Sequence, residues 1–259
     1  MRDNVTDSNL YEPGGEASDH CPDIVATGSG NISSMFLSMA ERHPDGADQD
    51  YLRWHTLDHR PEQQRLASIR ASIRLVSTPA CRAARACSHP DFDAVDHVMT
   101  YFFEDNDGLE EFTVLSTALR NAGRSPFILP PVQRGFYNVD CRVAANRVKI
   151  GADVLPWWPS RGVYLIIEAS TAAPGDCAPT ELIEVQGVAG IWSATAVDSP
   201  QHQREHQRVS YCFLDGDAVA VAAELKRQLE DRWQALPLQP LLAAPFYCLV
   251  PHEWDRYLP

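Results

Sequence analysis

"VMTYFFEDNDGLEEF", residues 98–112, has a counterpart in the second half of the chain, "VSYCFLDGDAVAVAAEL", residues 209–225. Each starts as a run rich in aromatic and β-branched residues, crosses an acidic turn, and continues with apolar residues at three- and four-residue steps. Faces repeat every two residues in a strand and every 3.6 in a helix, so each segment reads as strand, turn, helix. In the first, Leu109, Phe112, Leu115 and Leu119 form the helical stripe, Asn106 or Asp107 is the expected cap, and Gly123 the expected end. In the second, the stripe is Val221, Leu225, Leu229 and Trp233.

Working outward, "SSMFLSMA" (33–40) and "ASIRLVS" (71–77) read as strands on either side of a helix that begins near Asp48. "RSPFILPPVQRG" (124–135) reads as a connection and "GFYNVD" (135–140) as a weak strand. Beyond them come strands at 162–169, 187–197, 209–214 and 244–250, with a short helix in "PTELIEV" (179–185). The order strand–helix–strand–strand–helix–strand thus occurs twice, which is the split βαβ or ferredoxin-like unit. One such sheet leaves an apolar face needing cover, and two can cover each other as a barrel with helices outside. The expected class is α+β: a disordered tail at 1–29, a first repeat at 30–140, a connection at 141–161 and a second repeat at 162–259.

Net charge and apolar content bound the function. The chain has 259 residues, 44% hydrophobic, and a formal net charge of −13. Nucleic acids and anionic membranes recruit basic surfaces, so neither is an expected partner. No apolar run nears the ~20 residues of a membrane helix, and "MRDNVTDSNL" lacks the pattern of a secretory signal. Seven scattered cysteines suit free thiols in a reducing cytoplasm. Cys81, Cys87 and His89 lack a second paired ligand set, so no metal is expected. His202 and His206 lie in a polar loop and read as solvated.

The chemistry gathers in "YLRWHTLDHRPEQ", residues 51–63. Asp48 is placed to cap this helix, and Pro61 is expected to stop it near His59. Leu52, His55 and His59 share one stripe, and Tyr51, Trp54 and Asp58 another. Imidazole titrates near neutrality and can move a proton to or from carbon or oxygen. A histidine at a helix C-terminus is also an ordinary capping choice, and both readings of His59 stand. His55 is one turn away, able to share a proton or to sit at a pocket edge. Asp58 and Glu62 are candidates to orient His59, or are surface charges. Tyr51 and Trp54 are core aromatics or pocket walls. On the strand 97–103, His97, Met99, Tyr101 and Phe103 share a face. That face is the expected pocket wall, with helices on the other, while Arg74 meets either an anionic group or a salt-bridge partner. "ADVLPWWPSRG" (152–162) reads as a plug for the barrel end or a lid.

The spacing W-x-x-x-x-H-x-P-E, carried by Trp54, His59, Pro61 and Glu62 between two strands, resembles the EthD-like and related families of the dimeric α+β barrel superfamily. The resemblance implies a pocket between sheet and helices or within the barrel. It also implies a choice among cofactor-free isomerases, cyclases, dehydratases and decarboxylases, haem-using enzymes, and proteins without a reaction. The second half lacks the motif, so an asymmetric site is expected. The leading expectation is a cofactor-independent acid–base enzyme acting on a small, largely apolar carbonyl metabolite. His59 would be the acid–base, His55 its helper, and Asp58 or Glu62 the orienting carboxylate. Tyr51, Trp54, Arg74, His97 and Tyr101 would bind substrate. The alternatives are a non-catalytic binding or assembly module and a haem-dependent oxygenase. The architecture leaves room for a monomer or a homo-oligomer.

Overall fold

A computed structural model describes residues 13–20, 31–170, 178–197 and 207–258. Its strands are β1 (Ser34–Ala40), β2 (Ile69–Val76), β3 (Cys87–Ser88), β4 (His97–Phe103), β5 (Pro131–Ala144), β6 (Gly162–Ser170), β7 (Val188–Ala196), β8 (Gln207–Leu214) and β9 (Leu238–Cys248). They join in the order β2-β4-β1-β5-β7-β8-β6-β9-β3, with antiparallel neighbours throughout. A further pairing, Leu75 with Cys248 and Val76 with Tyr247, brings β2 to β9 and closes the sheet on itself. The fold is mixed α+β, with one large antiparallel sheet and helices against its outer face.

Period-two alternation sends one face of each strand into the closed sheet. Leu37, Val98, Phe102, Leu165, Trp192, Tyr211 and Phe246 meet there in the main core. Side chains of this size contribute roughly 1.5–3 kcal/mol each on full burial. Leu155, from the 3₁₀ segment Ala152–Trp157, is fully buried in the same core. Gly190 is required beside it, because a Cβ there would collide with the Leu155 side chain and lie 2.9 Å from the Val143 carbonyl oxygen. Leu155 therefore plugs the barrel, whereas Trp157 stays 46% exposed and donates its indole N–H to the Arg70 carbonyl at 3.0 Å. Trp157 and Trp158 line a separate cavity of about 690 Å³ beside β2 and β9.

The helices are α1 (Asp48–Trp54), α2 (Arg60–Gln63), α3 (Pro79–Ala83), α4 (Gly108–Asn121) and α5 (Ala218–Ala235). Asp217 caps α5 by accepting hydrogen bonds from the Val219 and Ala220 N–H groups, both at 3.0 Å. Val221, Ala222, Leu225 and Leu229 then pack directly onto Tyr164, Ile166 and Ala243, leaving that side of the sheet filled. On the other side, α1 and α4 stand against β1, β2 and β4 around a gap, which becomes the site.

Several expectations change. The first helix does not stop at His59. A π-helical segment, His55–His59, joins α1 to α2, with the Arg60 N–H donating to the His55 carbonyl. The five-residue step absorbs the hydrogen bond that Pro61 cannot make and avoids its ring clash with the preceding turn. Asp48 is no cap: its side chain makes no capping bond and turns inward. Asp107 stands at the N-cap of α4 but its side chain makes no capping hydrogen bond, while Asn106 donates to Asn138 and the Asp105 carboxylate accepts from the Asp107 N–H. The weak strand at 135–140 is the middle of the long strand β5, which also absorbs the end of the supposed connection. Part of the expected tail is docked, since the Ser18 N–H donates to the Lys149 carbonyl at 2.9 Å and Asp19 accepts from the Ala152 N–H at 3.1 Å. Residues 1–12 and 21–29, with His202 and His206, lie outside the described residues.

Candidate active site

Between the outer face of β1, β2 and β4 and the helices lies a cavity of about 620 Å³. Strand alternation places Phe36 and Ser38, Arg74, and His97, Met99 and Tyr101 along its floor. Tyr51, Trp54, His55 and His59 come from α1 and the π segment, and Phe112 and Ser116 from α4. The helices cover the face that bears His97 and Tyr101, contrary to expectation. The opposite face, with Val98 and Phe102, belongs to the barrel core.

The π segment sets His55 and His59 side by side with ring centroids 5.4 Å apart and planes inclined at 55°, and the His59 ring lies 5.0 Å from that of Trp54. Burial drives the His55 imidazole well below its ordinary range, and the charge of nearby Arg74 adds to this. Burial also lowers His59, against the opposing pull of Asp58. Both rings are therefore held toward their neutral, basic form. His59 stands four residues before the end of α2, so the dipole argument that would have raised it does not apply.

His97 carries the most defined hydrogen bond. Its Nε2 lies 2.7 Å from Asp48 Oδ1, with the two side chains 1% and 5% exposed. Asp48 also accepts from the His43 N–H at 3.0 Å. Burial pushes His97 down to about 4 despite the Asp48 hydrogen bond. Burial works to raise Asp48, but the hydrogen bonds from His97 and the His43 backbone hold it below the ordinary carboxylate value. The pair is thus a carboxylate and a neutral imidazole whose Nε2–H donates to it. That arrangement places the proton on Nε2 and the lone pair on Nδ1.

Asp58 and Glu62 do not hold an imidazole. Both accept from Arg124, at 2.8 and 3.2 Å, on the outer surface. Tyr51, Trp54, His55, His59, Arg74, His97 and Tyr101 all line the cavity. Asp48 is the functional neighbour that sequence reasoning missed: read as a helix cap, it lies 49 residues from its histidine, with no local spacing to reveal the pairing. Arg74 has no salt bridge among the described residues; its guanidinium lies 4.7 Å over the Tyr51 ring. Buried polar atoms are nearly always paired. Here Trp54 Nε1, the Nδ1 atoms of His55, His59 and His97, Arg74 Nε and Nη2, and Tyr101 Oη are buried without a hydrogen-bond partner.

No family model matches the sequence, and no curated protein does. Solved structures do match. A chlorite dismutase-like protein superposes with a TM-score of 0.53 at 10% identity, covering 88% of this chain and 100% of its own. The two share this closed α+β sheet architecture. An anthrone oxidase-like protein (TM-score 0.48, 11% identity, 85% of this chain and 92% of that one) also matches. So does a monooxygenase-like protein from Lactobacillus acidophilus (0.41, 10%, 84% and 100%). At such identities the likeness concerns the barrel architecture alone.

Proposed function

We propose that this dimeric α+β barrel is a cofactor-independent acid–base enzyme that moves a proton next to a carbonyl group in a small, largely apolar metabolite. The supporting observation is the cluster of imidazoles around one cavity, His55 and His97 buried and His59 half-buried, each lowered by burial and each with its Nδ1 unpartnered. Neutral imidazole is the form that accepts a proton from carbon, and general acid–base catalysis of this kind is worth roughly 10²–10⁴-fold. His97, oriented by Asp48, would remove the proton through Nδ1 and hand it to His59, which, with His55 beside it, would return it at the neighbouring position and leave both rings neutral. Tyr101, whose hydroxyl burial keeps protonated, would donate to the oxyanion that develops. These atoms are closed off in the free protein, so small side-chain movements would accompany substrate entry. Isomerisation, cyclisation, dehydration and decarboxylation all draw on this set of groups.

The same reading takes the chain as an internal pair of ferredoxin-like repeats, 30–140 and 162–259, working in the cytoplasm. Its support is the strand order, which runs second, third, first, fourth both in β1, β2, β4, β5 and in β6, β7, β8, β9. One half keeps its helix–sheet gap open and the other fills it with the stripe of α5, which would give one site per chain.

The test is deuterium exchange, followed by proton NMR, across a panel of enolisable aryl ketones and keto acids in D₂O. Wild type should accelerate exchange for a subset, and His59→Gln and His97→Gln should each lose at least about a hundredfold of it with unchanged circular dichroism. Equal exchange by wild type and both variants would defeat the proposal. Ligand binding without exchange would assign the chain to the non-catalytic members of this fold. A Soret band developing on haem titration would assign it to the haem-using ones.

A further inference from the structure

The cavity has an unusual charge. In a chain of net charge −13, no aspartate or glutamate lines it, whereas Arg74, Arg120 and Arg134 do. Arg120 and Arg134 are exposed at its rim, but Arg74 is only 4% exposed. A guanidinium shut away from water ordinarily has a carboxylate or several carbonyls against it, because an unpaired buried charge is costly. Arg74 has neither on its Nε and Nη2 atoms.

The identity of those two atoms carries information. Nε–H and the adjacent Nη2–H lie on one edge of the planar guanidinium and point in parallel. That edge matches the two oxygens of a carboxylate and makes a pair of parallel charge-assisted hydrogen bonds. The group is also held in place: it lies 4.7 Å over the Tyr51 ring, a cation–π contact that limits its rotation. Around it the walls are aromatic, with Phe36, Phe112, Phe127 and Trp54 lining the same cavity.

We propose that the cavity binds an aromatic carboxylate, with Arg74 receiving the carboxyl group along its Nε/Nη2 edge and the ring lying among the aromatic walls. This rests on the cavity being the site of the proton-transfer reading, and it narrows that reading to substrates bearing an acid group. The carboxylate supplies the partner that the protein withholds from Arg74. Its fixed position would leave the carbonyl side of the ligand toward the imidazoles.

Benzoate and 2-naphthoate, with benzamide and 2-naphthamide as uncharged isosteres, are suitable probes for calorimetric titration of the full chain. Wild type should prefer each carboxylate over its amide by about tenfold to a hundredfold, the range of charge-assisted hydrogen bonds. Arg74→Met should abolish the preference. Arg74→Lys keeps the charge but lacks the bidentate edge, and should retain only part of it. Thermal unfolding separates a ligand role from a structural one. Removing an unpaired buried charge in Arg74→Met should leave Tm unchanged or higher, while a structural Arg74 would lower it. Failure of both carboxylates to bind at millimolar concentration, equal binding of acid and amide, or undiminished preference in Arg74→Met would each overturn the proposal. Intact acid preference without any proton exchange would reject the acid–base reading and leave the carboxylate site standing.

Discussion

His97→Gln should flatten the dependence of stability on pH. In the folded protein His97 is 1% exposed, and burial pushes its imidazole from the ordinary 6.5 down to about 4. Between those values the unfolded chain binds a proton that the folded chain refuses, so acid favours unfolding. The contribution is fully present above pH 6.5, is lost as pH falls toward 4, and changes little below that. At about 1.4 kcal/mol per pH unit, the loss between pH 7 and pH 4 is about 3 kcal/mol. His55 and His59 are shifted in the same direction, so wild type should lose more than this in total. The variant keeps them and removes only the His97 part. Glutamine retains an N–H that can reach Asp48, and Asp48 itself titrates below its ordinary 3.8, outside the window. Urea unfolding followed by tryptophan fluorescence at several pH values from 7 to 4 measures the effect. The variant's curve should be shallower by about 3 kcal/mol over that span. Parallel curves for the two proteins would show that His97 takes up its proton while folded, and would refute the account of a neutral base held by Asp48.

Other outcomes follow from the same geometry. Asp48→Asn removes a carboxylate held by two hydrogen bonds, and should cost about 2 kcal/mol in urea unfolding together with most of the deuterium exchange. The double variant Asp58→Asn, Glu62→Gln should leave exchange intact, because both carboxylates face Arg124; a loss equal to that of His59→Gln would restore them to the site. Leu155→Ala opens the barrel plug and should cost 2–5 kcal/mol, the range for a fully buried leucine, and a midpoint shift under 1 kcal/mol would show that the barrel end collapses to fill the space.

The strands His97–Phe103 and Gly162–Ser170 coincide closely with the runs of aromatic, aliphatic and β-branched residues that announced them, because such a run is a property of neighbouring residues. Helix α5 is equally legible, its Asp217 cap and apolar stripe lying within one stretch. The first helix was misjudged where Pro61 ordinarily ends a helix; the π step that carries the chain past it depends on packing against the sheet and α4. Tyr51, Trp54, His55, His59, His97 and Tyr101, singled out by residue type and face, line the cavity, but Phe36, Phe112, Phe127 and Phe136 line it too and carried no local signal of doing so. Nor did the partners of the histidines.

The α+β class and most of the principal strands and helices were written in local pattern, although the expected helix at 179–185 is a 3₁₀ segment, Thr180–Glu184, and the short elements Pro79–Ala83 and Cys87–Ser88 carried no such signal. Backbone periodicity and residue type act over a few positions and can be read one segment at a time. Which carboxylate meets which histidine, and that Arg74 meets none, was decided only when distant segments packed. Asp58 and Glu62 lie closest in sequence to His59, yet helical geometry turns them outward to Arg124, while Asp48 is carried inward against β4. Side-chain pairing depends on where whole elements dock, and no spacing along the chain encodes that.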